Sequence, residues 1–162
     1  MSLKSHADGD GSTHRESHYR RLLAMAGLSF IAMYALMYAM VDMRANVYMN
    51  FNQAYMAGLM TAPMVILELL LMRAMYANKR LNLLIIAASF IALIVCWTLI
   101  RRQAAIADRQ FLRSMIPHHA GALLMCDRAP IKSAGIKALC EGIRASQQAE
   151  IDQMRAMLTG LE

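Results

Sequence analysis

Three long apolar stretches, followed by shorter stretches with helical periodicity, predict an all-α membrane protein with three transmembrane helices and a C-terminal helical hairpin. Hydrophobic residues make up 58% of the 162-residue chain, above the roughly 45–50% of soluble domains. The excess sits in Leu22–Val41, Ala54–Met72 and Leu81–Ile100. Each is long enough to cross a hydrocarbon core of about 30 Å. The first and third contain no charged residue, and the second contains only Glu68. The predicted organisation is a mobile tail over 1–20, a membrane region over 21–101 and a hairpin domain over 102–162.

The tail is rich in Ser, Gly, Asp and His, a composition that cannot bury a core. His14 and His18 are read there as solvated. Leu22–Val41 is read as a retained span because it exceeds the about 7–15 apolar residues of a signal peptide. Asp42-Met43-Arg44 follows it where a small-residue cleavage site would stand. Asp42–Gln53 reads as a short polar loop and Arg73–Arg80 as a tight basic turn. No Gly or Pro interrupts Leu81–Ile116, so the third span is expected to continue into the domain as one helix of about 36 residues and ~54 Å. Pro117 lacks an amide proton, frees the carbonyl of Arg113 and predicts a kink. The helix then resumes and stops near Asp127–Pro130. A last helix runs from an N-cap at Ser133 to Leu158, with Gly160 beyond it.

The net charge of +6 is concentrated at helix ends, in Arg20, Arg21, Arg73, Lys79, Arg80, Arg101 and Arg102. No basic surface interleaved with aromatics accompanies it, which excludes a nucleic-acid partner. With the N-terminus inside, Lys4, Arg15, Arg20, Arg21, Arg73, Lys79 and Arg80 outnumber Arg44, Arg101, Arg102, Arg109 and Arg113 on the outside. That asymmetry places the C-terminal domain outside the cytoplasm. Cys96 reads as a small apolar residue within a span. Cys126 and Cys140 read as thiols or ligands; at different heights on an antiparallel hairpin, they are not expected to form an intrachain disulfide.

The chemistry is concentrated in Met115-Ile116-Pro117-His118-His119, with Met125-Cys126 two turns on. Thioether, imidazole and thiolate are the ligands of soft or borderline metals, copper(I) among them. Phe111, Met115, His118, Ala122 and Met125 share one helix face, with His119 about 100° away. The last helix carries a matching stripe, Ile136, Cys140, Ile143, Gln147, Glu150, Met154 and Met157. Gln147 and Glu150 interrupt an apolar seam and need partners, so Glu150 is expected to orient an imidazole. Met115, His118, His119 and Met125 are the first candidate ligands, with Cys126 and Met154 in reserve. Methionine is abundant, 16 in all. Met56, Met60 and Met64 lie at four-residue spacing with Glu68 next, and Met33, Met37 and Met40 form a second series. Such a ladder suits copper(I) passage, although methionine also packs well among apolar helices. Glu68 is read as an acid near mid-membrane, where an acid is usually functional.

The run Asp108–Ala122, with Ser146-Gln147-Gln148-Ala149-Glu150-Ile151-Asp152-Gln153-Met154, resembles a bacterial ferritin-like domain-of-unknown-function family. That family bears an M-x-x-H-H motif and includes CopM-like periplasmic copper-binding proteins. The resemblance covers 104–158, and the segment Tyr55–Met64 resembles its three-span membrane branch. It implies a ferritin-like half-bundle, because soluble members carry the motif twice and this chain once. It also implies copper(I) or silver(I) bound through Met and His, without an organic cofactor or a catalysed reaction. The expected role is sequestration or hand-over of metal at a bacterial inner membrane, with the N-terminus cytoplasmic and the C-terminal domain periplasmic. A metal-free interaction module, or an accessory subunit of a transporter, is the alternative. A di-metal redox enzyme is disfavoured, since no Glu lies three residues before either histidine. Two helices cannot cover their own seams, so the expected partner besides metal and bilayer is a second copy, giving a homodimer.

Overall fold

A computed structural model describes residues 8–161, with side-chain surroundings from His18 onward. Among these residues every regular element is helical: α1 (Asp8–Leu36), α2 (Phe51–Leu71), α3 (Lys79–Arg101), α4 (Asp108–Arg128) and α5 (Ala134–Gly160). Two 3-10 turns, Met37–Met40 and Arg44–Asn46, lie between α1 and α2. The chain divides into two compact units, one of residues up to Met33 with Tyr55–Arg101, the other of Tyr34–Ala54 with the chain from Arg102 onward. Because α1 starts at Asp8, much of the segment expected as a mobile tail is helical. Residues 1–7 and the side chain of His14 lie outside the described residues.

Three helical segments, His18–Met40, Phe51–Leu71 and Lys79–Arg101, are long and apolar enough to cross a membrane, and most of their length lies in the first unit. They match the three predicted spans within a few residues. Leu22, Val65, Leu69 and Tyr76 form a buried cluster with Met25, Ala26, Ile85 and Ile86 against it. Leu83, Leu84, Phe90, Ile91 and Trp97 of α3 stay exposed, as lipid-facing residues do. At Gly58 a Cβ atom would lie 2.8 Å from Cys96 Sγ and 3.9 Å from the Phe30 ring. Three helices therefore meet where only a hydrogen fits.

Glu68 lies in the last turn of α2, near a span end and away from the middle. Its carboxylate accepts from the Tyr76 hydroxyl at 3.4 Å. Burial and the nearby Glu68 carboxylate push the Tyr76 hydroxyl above its usual pKa. Met56 and Met60 are exposed and Met64 is half-buried, so the methionine series faces largely outward. Met33 Sδ accepts from the Thr61 hydroxyl at 3.7 Å.

In the second unit α4 and α5 form a hairpin, with Leu112, Ile116, Ala120 and Leu123 packed on Ile151, Met154 and Leu158. Val41 and Tyr48 close over this core. The segment read as a polar loop thus supplies a third layer. A Cβ on Gly121 would lie 3.5 Å from the Met40 carbonyl oxygen, an ordinary contact. Because α4 is covered on two sides, its buried face is rotated from the expected one. Leu112, Ile116 and His119 face inward, whereas Phe111, His118 and Met125 are exposed. On α5, Ile136, Glu150 and Met157 are likewise exposed, and Ile151 and Leu158 take the core positions.

The expected continuous helix is broken. Arg101 ends α3, Asp108 begins α4, and Gln103 (φ 48°) and Ala105 (φ 57°) between them are left-handed. Such a backbone costs about 1–2 kcal/mol per residue outside glycine. Reciprocal amide bonds offset it: Asn52 Nδ2 donates to Gln103 Oε1 at 3.0 Å, and Gln103 Nε2 donates to Asn52 Oδ1 at 3.2 Å. Local helix propensity yields here to tertiary contact.

Two asparagines organise the covering segment. Asn50, 4% exposed, accepts from the Gln53 amide at 3.0 Å, which caps α2. Its Nδ2 donates to the Tyr48 carbonyl at 3.0 Å and to the Arg113 carbonyl, which Pro117 frees, at 3.4 Å. Asn46, 1% exposed, donates to Asp42 at 2.6 Å and accepts from Arg155 Nη2 at 2.7 Å. Ser133 occupies the N-cap of α5 without a side-chain capping bond.

Two measurements check this packing, both by thermal unfolding in mild detergent. Asn50→Ala should cost about 1–3 kcal/mol, and Asn50→Ser, which keeps the capping oxygen, about half of that. Gly58→Ala should cost about 1 kcal/mol and recover when Cys96→Ala removes the crowding sulfur.

Candidate metal centre

The site is built around His119, which α4 turns inward beside Ile116 and Ala120 and leaves 7% exposed. Its Nδ1 lies 2.9 Å from the Met115 carbonyl oxygen one turn back. A carbonyl has no proton, so Nδ1 carries the hydrogen and donates it. Nε2 then points at Glu150 Oε2 of α5, 2.7 Å away. At that distance one proton lies between them: the protonated ring donates it to the carboxylate as an ion pair, or a protonated Glu150 donates to the Nε2 lone pair of the neutral ring. The expectation that Glu150 orients an imidazole agrees with this geometry, and the imidazole is that of His119.

His118 lies on the exposed side, its ring centroid 6.2 Å from that of His119 and the planes 71° apart. Adjacent helical residues diverge by about 100°, so one histidine faces inward and the other outward. Met154 belongs to the apolar core of the hairpin and Met115 packs against that core, Gln147 is half-buried, and Met125 is exposed. The four first-choice ligands are therefore split between an inner pair, Met115 and His119, and an outer pair, His118 and Met125.

Cys126 and Cys140 form a disulfide, against expectation, with Cα atoms 5.4 Å apart. The connection between the helices is extended at Ala129 and Ser133. Its length takes up the offset in height that made the pairing improbable from sequence. Arg144 Nε donates to Asp127 at 2.9 Å on the same hairpin. A groove of about 420 Å³ beside it is lined by Asp42, Met43, Leu123, Asp127, Glu141 and Gln148, none of them a predicted ligand.

Among the described residues no three His, Cys, Asp or Glu side chains gather as a metal cluster. A metal at His119 would have one ring nitrogen and the Glu150 carboxylate to draw on, with Met115 and Met154 in the hairpin core. Two such groups are too few for an octahedral ion. Asn46, Asn50 and Arg155, which fix the segment over α4, were missed as site-supporting residues. The only sequence signal was two asparagines four apart in an otherwise weakly patterned loop.

The disulfide has a direct check. Closing a segment of sequence separation 14 should contribute about 3 kcal/mol, lost in a Cys126→Ser, Cys140→Ser variant. The native chain unfolded without reductant should expose a single labelled thiol, that of Cys96.

Residues 97–158 match the family described as Domain of unknown function (DUF305). The chain is 32% identical over 140 residues to an uncharacterized protein, L153, of Acanthamoeba polyphaga mimivirus. That similarity spans 85% of this chain and 90% of the viral protein, so it extends well beyond the matched domain. No solved structure matches the chain. The chain belongs to the family of the mimivirus protein L153, and its C-terminal part matches the domain of unknown function DUF305.

Proposed function

We propose that this chain is a membrane-anchored binder of soft metal ions, copper(I) or silver(I), taken up for sequestration or hand-over and not for catalysis. The observation that carries the reading is the anchored imidazole of His119. Its Nδ1–H is tied to a backbone carbonyl, which leaves Nε2 as the basic nitrogen. Histidines that hold metals are fixed in this way. Met115 and Met154 supply thioethers in the same core. Glu150, 52% exposed, can swing from Nε2 when metal arrives. His118 and Met125 on the outer face are available for capture before transfer inward.

The CopM-like resemblance supports the choice of metal. The Lys/Arg asymmetry supports a cytoplasmic N-terminus and a periplasmic C-terminal unit in a bacterial inner membrane. The Cys126–Cys140 disulfide supports an oxidising compartment for that unit. Exposed Phe111, Met125, Ile136 and Met157 support a homodimer that completes the ferritin-like bundle.

A second reading is a metal-free interaction module or transporter subunit. It is favoured by the fact that both ring nitrogens of His119 already have protein partners. Competition titration with a copper(I) chelator, on the full chain in detergent, separates the two. Wild type should bind copper(I), His119→Ala should weaken binding by at least about tenfold, and His118→Ala should weaken it less. No copper(I) binding by wild type would leave the metal-free reading standing, and equal affinity in wild type and His119→Ala would move the site away from His119. For orientation, a reporter enzyme active only in the periplasm should work when fused after Glu162, and a cytoplasmic reporter there should not.

A further inference from the structure

At one end of the first unit the chain gathers five basic residues from two distant segments. Tyr19 makes this contact. Its hydroxyl donates to Asn82 Oδ1 at 2.7 Å and accepts from the Asn78 amide at 3.3 Å. Its ring lies 5.3 Å from that of Tyr76, and Asn82 Nδ2 donates to the Tyr76 carbonyl at 2.8 Å. These bonds hold Arg20 and Arg21, next to Tyr19, close to the turn that carries Arg73, Lys79 and Arg80. All five side chains are exposed, and none is ion-paired with a carboxylate among the described residues. Among the described side chains, the acid beside Tyr76 at this end is Glu68, which accepts from the Tyr76 hydroxyl.

We propose that this end is a docking surface for anionic phospholipid headgroups of the leaflet it faces. Five exposed cations at the ends of membrane-length helices match lipid phosphates in charge and position. Tyr19 and Tyr76 lie where aromatic residues mark the headgroup level. A soluble anion would meet the same cations, but only the lipid is held at that level by the bilayer itself. The metal site plays no part in this proposal.

The test uses the full chain in vesicles of mixed phosphatidylglycerol and phosphatidylcholine, with spin-labelled lipids reporting which headgroup lines the protein. Wild type should favour phosphatidylglycerol by at least about fivefold, and the preference should fade toward parity at about 1 M salt, where the Debye length is ~3 Å. Changing Arg20, Arg21, Arg73, Lys79 and Arg80 together to Gln should abolish the preference, while Arg101→Gln with Arg102→Gln should retain it. No preference in wild type, an equal preference in the fivefold variant, or the same loss in the control pair would overturn the proposal. Should the fivefold variant fail to insert, the salt titration of wild type decides, and a preference that salt does not change overturns it.

Discussion

A two-helix hairpin leaves one flank of each helix in water, and the arrangement of the second unit follows from how the chain meets that constraint. Leu112, Ile116, Ala120 and Leu123 on α4 face Ile151, Met154 and Leu158 on α5, and Val41 and Tyr48 cover the remaining edge. The covering segment has little regular structure of its own, so its backbone polar groups need side-chain partners once buried. Asn46 and Asn50 provide them. Each replaces several water contacts with bonds that also choose the position of the segment, which is why two nearly fully buried amides sit in so small a core.

The same covering decides which histidine is inside. With a free outer flank, the Phe111–Met115–His118 face is the natural seam, because it joins the larger apolar groups. With Val41 and Tyr48 present, the Leu112–Ile116–His119 face is enclosed and His118 is turned out. His119 then needs both nitrogens satisfied, because burying an unpaired polar atom is costly. The Met115 carbonyl and Glu150 meet that need. The result is an inward imidazole with its Nδ1 proton fixed by the backbone. Its other nitrogen meets a carboxylate that is half exposed.

Pro117 shows how a local defect becomes a tertiary contact. By sequence it removes a helix hydrogen bond and strands the Arg113 carbonyl. In the structure α4 runs through it, and the Asn50 amide meets the freed oxygen. The break at Gln103–Ala105 is the converse case. Nothing in Leu81–Ile116 forbids a helix, and the chain still turns there, because Asn52 pairs with Gln103 in both directions. Glycine and proline reveal breaks caused by the backbone; they are silent about breaks caused by partners far along the chain.

The sequence by itself determined the three apolar helices, the turn at which the two hairpin helices meet and the pairing of an imidazole with Glu150. These follow from runs of hydrophobic residues, from turn residues, and from the need of a polar group in an apolar stripe for a partner. They are properties of segments or of residues a few turns apart. Only the tertiary structure decided that His119 faces inward, that Cys126 reaches Cys140, that α3 stops at Arg101, and that residues 34–54 belong with the hairpin. Each depends on which surfaces meet across long separations. A helix offers several faces of similar hydrophobicity, and only the partner that covers one of them makes the choice.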